Sequence, residues 1–99
     1  MASDRRATAA HRALNAGIRQ GWLLRIAWRE SRFGLGVGTP EHGEGVLGLT
    51  KRAFPHVRRR DPAENIAAGA RWLKKLLKQY GSEAKAECVY GRGQRACGL

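Results

Sequence analysis

Among 99 residues there are eight acidic side chains, a short list of groups that could move a proton. Glu30 stands apart by its spacing. Leu23, Ile26 and Ala27 recur at helical intervals, and Glu30 is the next position on that face. A carboxyl on an apolar helix face is costly unless something pairs with it or uses it. Desolvation favours its neutral form, which a general acid requires. The competing reading is an ion pair with Arg29, Arg32 or Arg71. The other acids have simpler explanations. Asp61 and Glu64 read as capping residues, and Asp4, Glu83 and Glu87 as members of exposed helix turns. Glu41 and Glu44 are loop acids that could line a cleft as secondary acids, but they lack apolar surroundings.

Helices must position these groups. Ser3 reads as the N-cap of a first helix, with Ala7, Ala10, Leu14 and Ile18 on its apolar face. Gly17 and Gly21 punctuate, and a second helix, the one carrying Glu30, starts near Trp22. Six glycines and Pro40 fall between Gly34 and Gly48, so this stretch reads as a loop or short hairpin. Val46-Leu47-Gly48-Leu49 returns the chain to the core, and a short helical turn over 51–54 stops at Pro55. Asp61-Pro62-Ala63-Glu64 combines an N-cap, a proline at N1 and an acid at N3. It predicts a helix from about 62 to 80, closed by Gly81. Ser82 caps a last helix ending near Tyr90-Gly91. The reading is all-α: one mainly helical domain over 1–99 with a Gly-rich loop or short hairpin.

Nineteen Lys and Arg against eight acids give a formal charge of +11. Such a surface favours a polyanionic partner: nucleic acid, anionic lipid or wall polymer. Arg58-Arg59-Arg60 is the only run of three basic residues. No apolar run approaches the roughly 20 residues that span a bilayer, and no secretory signal is visible at the start. Cys88 and Cys97 are compatible with one disulfide or with two thiols. Together with His11, His42 and His56 they offer no metal-ligand spacing, and no cofactor is expected.

Four patches then resemble a known family. Ile26-Ala27 followed by Glu30-Ser31-Arg32-Phe33, then Gly45-Val46-Leu47-Gly48-Leu49, then the run from Asp61 through Asn65-Ile66 and Gly69 to Ala70, then Val89-Tyr90-Gly91-Arg92-Gly93 occur in order over 26–93. They resemble the catalytic domain of soluble lytic transglycosylases, related to goose-type lysozyme. The resemblance implies a lysozyme-like fold acting on peptidoglycan, with Glu30 as the acid that cleaves the bond between N-acetylmuramic acid and N-acetylglucosamine. The same residue would then draw a proton from the sugar's 6-hydroxyl and leave a 1,6-anhydro end. Ser31, Gly48, Leu49, Thr50 and Tyr90 become expected substrate contacts, although Ser31 equally suits closing the helix end and Tyr90 the core. Phe33 reads as packing, and Trp22, Trp28 and Trp72 as core or surface filler more than as sugar platforms.

Two positions depart from the family pattern: Thr50-Lys51 stands where Gln is usual, and Gly91 where Asn follows the tyrosine. Small size and high charge suit a monomeric phage endolysin or a virion component. It would act at the bacterial cell wall or periplasm after delivery, held by its basic face to the anionic envelope. A hydrolytic muramidase of the same fold and a basic nucleic-acid-binding helical module are the competing readings.

Overall fold

The structure is a computed structural model that describes residues 2–34 and 38–99. Part of the Gly-rich loop, residues 35–37, therefore lies outside the described residues. Four helices and a short hairpin follow in order: α1 (Ala2–Ala16), α2 (Gln20–Ser31), β1 (Gly38–Thr39), β2 (Gly43–Glu44), α3 (Pro62–Tyr80) and α4 (Glu83–Arg92). A 3-10 turn, Arg95–Cys97, ends the chain. The mainly α class expected from the sequence is what the chain adopts. The hairpin strands are antiparallel, with Gly38 opposite Glu44 and Thr39 opposite Gly43.

α3 forms where its sequence signals place it. Asp61 accepts a hydrogen bond from the Glu64 amide at 2.9 Å, Pro62 occupies the first turn, and Gly81 closes the helix in the left-handed region. Ile66, Ala70 and Leu73 are buried along one stripe, together with Asn65, Gly69 and Leu76. Helix α1 packs on α2 and α3, and α4 packs on α3. Trp22, Leu23, Ile26 and Ala27 of α2 are fully buried in the shared core, the larger of them each stabilising by about 1.5–3 kcal/mol.

The first helix departs from expectation. It starts at Ala2, so Ser3 lies inside it and not at its N-cap. Its buried face is Ala9 and Ala13, whereas Leu14 is 65% exposed. Helix backbones that approach closely need small residues at the contact, and that requirement outweighs the greater hydrophobicity of Leu14. Ile18, beyond the turn at Gly17, is buried as expected.

The basic run is paired with acids although Arg58 and Arg60 remain exposed. Arg58 bonds Glu64, with contacts of 3.0 and 3.1 Å, while Arg59 and Arg60 each hold one oxygen of Glu44 at 2.8 Å. The Glu44 residue is only 4% exposed, and these bonds fasten the hairpin to the segment before α3. Hydrogen bonds from Arg60 and Arg59 hold the Glu44 carboxyl below the usual range, against an opposing effect of burial. Glu64 is lowered by Arg58, and Glu83 by Arg19. A carboxyl depressed in the folded state contributes stability above its unfolded value of about 4.3 and loses it as the pH falls through the folded value. The melting temperature should therefore hold steady from pH 7 to about 5 and drop below about pH 4. Glu44→Gln should flatten that drop. A melting temperature that rises on acidification would contradict the assignment.

Candidate active site

The site is assembled by a turn, Gly45–Leu49, pressed between α2, α3 and α4. Asn65, fully buried, holds the turn from α3: its Oδ1 accepts from the Leu47 amide at 2.8 Å. Its amide donates to the carbonyls of Glu44 at 2.9 Å and Arg59 at 2.7 Å. Leu47 then seats directly on Gly69. A Cβ at Gly69 would lie 2.3 Å from Leu47 Cδ1, so only glycine lets the turn come this close. The Asn and Gly spaced four apart on α3 thus have one job, which is to fix the height of the turn.

From α2, Ser31 fastens the other side. Its residue is 8% exposed, and its hydroxyl donates to the Val46 carbonyl at 2.6 Å and accepts from the Gly34 amide at 2.8 Å. The chain leaves α2 through two consecutive non-glycine residues with positive φ, Arg32 at 52° and Phe33 at 61°. Such residues are strained by about 1–2 kcal/mol each. Burial of Phe33, a 2.9 Å bond from Arg5 to its carbonyl and the Arg6 guanidinium 5.0 Å from its ring centroid hold the turn in place.

Glu30 is thereby set across Gly48. Gly48 has φ +63°, a backbone that calls for glycine, and a Cβ there would meet the tip of the Glu30 side chain, Oε1, at 2.8 Å. Glu30 does not join the buried stripe that its spacing suggested: it stands exposed at the end of the helix, with its side chain 25% exposed. It lines a cavity of about 240 Å³ with Arg29, Glu87, Cys88, Gly91 and Arg92. Arg29 Nη2 lies 3.4 Å from Glu30 Oε2, so of the three arginines weighed for an ion pair, Arg29 is the one in contact.

Tyr90 reaches the turn from α4 and donates its hydroxyl to the Leu47 carbonyl. Burial pushes its phenol far above the ordinary range, and the neighbouring Glu30 charge pushes the same way against Arg29. Tyr90 is therefore a permanent hydrogen-bond donor. The end of α4 is tied down by a disulfide between Cys88 and Cys97, whose Cα atoms are 6.0 Å apart. This resolves the pairing that the sequence left open.

The structure brings only part of the expected set together. Gly48 touches Glu30, whereas Ser31 and Tyr90 grip the backbone of the turn. Leu49 is core, 1% exposed, and bridges to Glu44. The Thr50 hydroxyl accepts from the Ala53 amide at 3.2 Å and caps the short turn that follows. Gly91 lines the cavity close to Arg29 Nη2, leaving that wall without a side chain. Neither loop acid lines the Glu30 cavity. Glu41 borders a separate hollow with Pro40, Lys51, Arg52 and Pro55, and both oxygens of Glu44 are taken by arginines. Trp22 is core, while Trp28 and Trp72 are 50% and 39% exposed.

One residue in the cavity carries no sequence expectation of a role there. Glu87, read as exposed, has a side chain only 16% exposed. It accepts from Trp22 Nε1 at 3.1 Å, Arg25 at 2.8 Å and Arg29 at 2.6 Å. Burial would raise its carboxyl, but the bonds from Arg25 and Trp22 and the charges of Arg25 and Arg29 outweigh this and hold it low. Its signal in the sequence is the spacing of its partners: Trp22, Arg25 and Arg29 recur along one face of α2.

The Transglycosylase SLT domain family model matches residues 8–98, nearly the whole chain. The chain belongs to the transglycosylase SLT family. Nothing among curated proteins or solved structures matches it. As an SLT domain it is a lysozyme-like glycosidase of the lytic transglycosylase type, acting on the peptidoglycan of the cell wall. No helix among its described residues is long and apolar enough to cross a membrane. Within the SLT domain, the match runs from α1, through the helix that bears Glu30, past α4 and the 3-10 turn that carries Cys97.

Proposed function

We propose that this single domain cleaves the glycosidic bond between N-acetylmuramic acid and N-acetylglucosamine with Glu30 as its only acid and base. The observation that carries the reading is the seat of Glu30: opposite Gly48, at a turn clamped by Asn65, Ser31 and Tyr90, and open to a cavity. Glu30 gives its proton to the glycosidic oxygen as the bond to C1 of the muramic residue breaks. The resulting carboxylate takes the proton of the 6-hydroxyl, and O6 bonds to C1. Atoms balance without water, and Glu30 ends protonated. Ser31 and Tyr90 act as positioning residues in this scheme, since their hydroxyls are engaged with the backbone of the turn or of the adjoining helix end.

A hydrolase of either usual type needs a second carboxylate, about 5–5.5 Å away as a nucleophile or about 6.5–9.5 Å away as a base. Glu87 is within one guanidinium of Glu30, but both its oxygens are engaged. Intramolecular attack by O6 avoids that demand and has a high effective molarity. Digested wall should therefore yield muropeptides lighter by one water than hydrolytic products. A mass spectrum with only reducing ends would move the activity to muramidase.

The +11 charge supports retention of a released lysin, phage-borne or otherwise, on the anionic envelope. The contact surface we assign is the outer face of α3, with Arg71, Lys75 and Lys78 exposed, in place of the paired run Arg58–Arg60. We read the working form as a monomer.

A further inference from the structure

The cavity places one cation between two carboxylates. Arg29 directs Nη1 to Glu87 Oε2 at 2.6 Å and Nη2 to Glu30 Oε2 at 3.4 Å. The guanidinium is thus bonded to Glu87 and only in loose contact with Glu30. This asymmetry matters for chemistry. A cation beside a carboxyl favours its ionised form, and an acid must hold its proton until the leaving oxygen takes it.

We propose that Glu87 is a positioning residue for the reaction: it draws Arg29 away from Glu30 and offsets its charge, so that Glu30 can carry the proton it donates. The proposal rests on Glu30 being the acid. Glu87 is suited to this and not to proton transfer. Its Oε1 accepts from Trp22 and Arg25, its Oε2 accepts from Arg29, and its charge is fixed by those bonds. Once the proton has left Glu30, the same Arg29 stands close enough to stabilise the new carboxylate. One guanidinium therefore serves both halves of the cycle, with Glu87 setting its share in each.

The other groups around Glu30 cannot take over this task. Tyr90 of α4 is neutral throughout, being buried and bonded to the turn. Arg92 of α4 lines the same cavity and adds positive charge, which works in the direction opposite to Glu87. The turn contributes Gly48, which has nothing to titrate. Arg25 is bonded to Glu87 Oε1, the oxygen that Arg29 does not hold. Among the described residues lining the cavity, Glu87 is the one anion besides Glu30 itself.

The test is the pH–activity profile on purified peptidoglycan. Glu87→Gln keeps the shape and removes the charge, leaving Arg29 uncompensated. The basic limb, where the acid loses its proton, should move down by about one pH unit. Activity at neutral pH should fall about tenfold and recover on mild acidification. Arg29→Gln should move the same limb upward, and the double variant should return it close to its original place. A role confined to packing would lower activity at every pH and leave the limb unmoved, which would overturn the proposal. If Glu87→Gln does not fold, Arg29→Gln decides alone, because that side chain is 45% exposed. An unmoved limb there is equally fatal. Glu30→Gln separates the two readings. Retained lysis defeats Glu30 as the acid, whereas an inactive Glu30→Gln with unmoved limbs in the other variants defeats only the role of Glu87.

Discussion

Glu30→Gln is expected to leave a folded protein that no longer clears peptidoglycan. The amide matches the carboxyl in size and still fits opposite Gly48, but it can neither give a proton nor take one. Loss of a positioned acid lowers turnover by about 10²–10⁴-fold. Stability should hardly change, because the ion pair with Arg29 that the amide cannot form is long, at 3.4 Å, and partly open to water. Ion pairs of that kind contribute about 0–1 kcal/mol. Turbidity clearance and a melting curve on the same sample check both halves. Retention of more than about a tenth of the activity would remove Glu30 from the mechanism.

Asn65→Ala should be the most damaging substitution to the fold. It strips hydrogen bonds from the Leu47 amide and from the carbonyls of Glu44 and Arg59 at a residue with no exposure. Each buried polar group left unsatisfied costs about 1–3 kcal/mol, so a total of about 3–4 kcal/mol is expected after relaxation. That is a large share of the roughly 5–15 kcal/mol that holds a domain together. Asn65→Asp should fare no better, since it keeps the acceptor for Leu47 but loses both donors. Denaturant titration measures the loss, and a value under about 1 kcal/mol would mean that Leu47 and Gly69 hold the turn without help.

What could be read in the sequence was what lies close together along the chain. The limits of α3 were legible because Asp61, Pro62 and Gly81 act on their own neighbours. The buried stripe Leu23, Ile26 and Ala27 was legible because its members share one helix, whereas Glu30, the next position, stands exposed at the helix end where the loop begins. The phase of α1 was not legible, because hydrophobicity favours Leu14 while close helix packing selects Ala9 and Ala13. The arginine run looked free because its acids lie 6 to 16 residues away. The sequence also hid the surroundings of Glu87, whose partners on α2 are 58 to 65 residues distant. Ser31 is the subtler case. Its place beside Glu30 suggested contact with sugar, and only the fold shows its hydroxyl spent on Val46 and Gly34.

The indole of Trp22 gives the cavity an optical window. Trp22 is sealed in the core and donates to Glu87, while Trp28 and Trp72 face water. A water-borne quencher would darken the exposed pair first and leave the blue-shifted emission of Trp22. That emission sits one hydrogen bond from Glu87 and, through Arg29, next to Glu30. A glycan entering the cavity and shifting the guanidinium would change the field at the indole and its colour. The chain thus carries its own unlabelled fluorophore, wired to the carboxylates that matter.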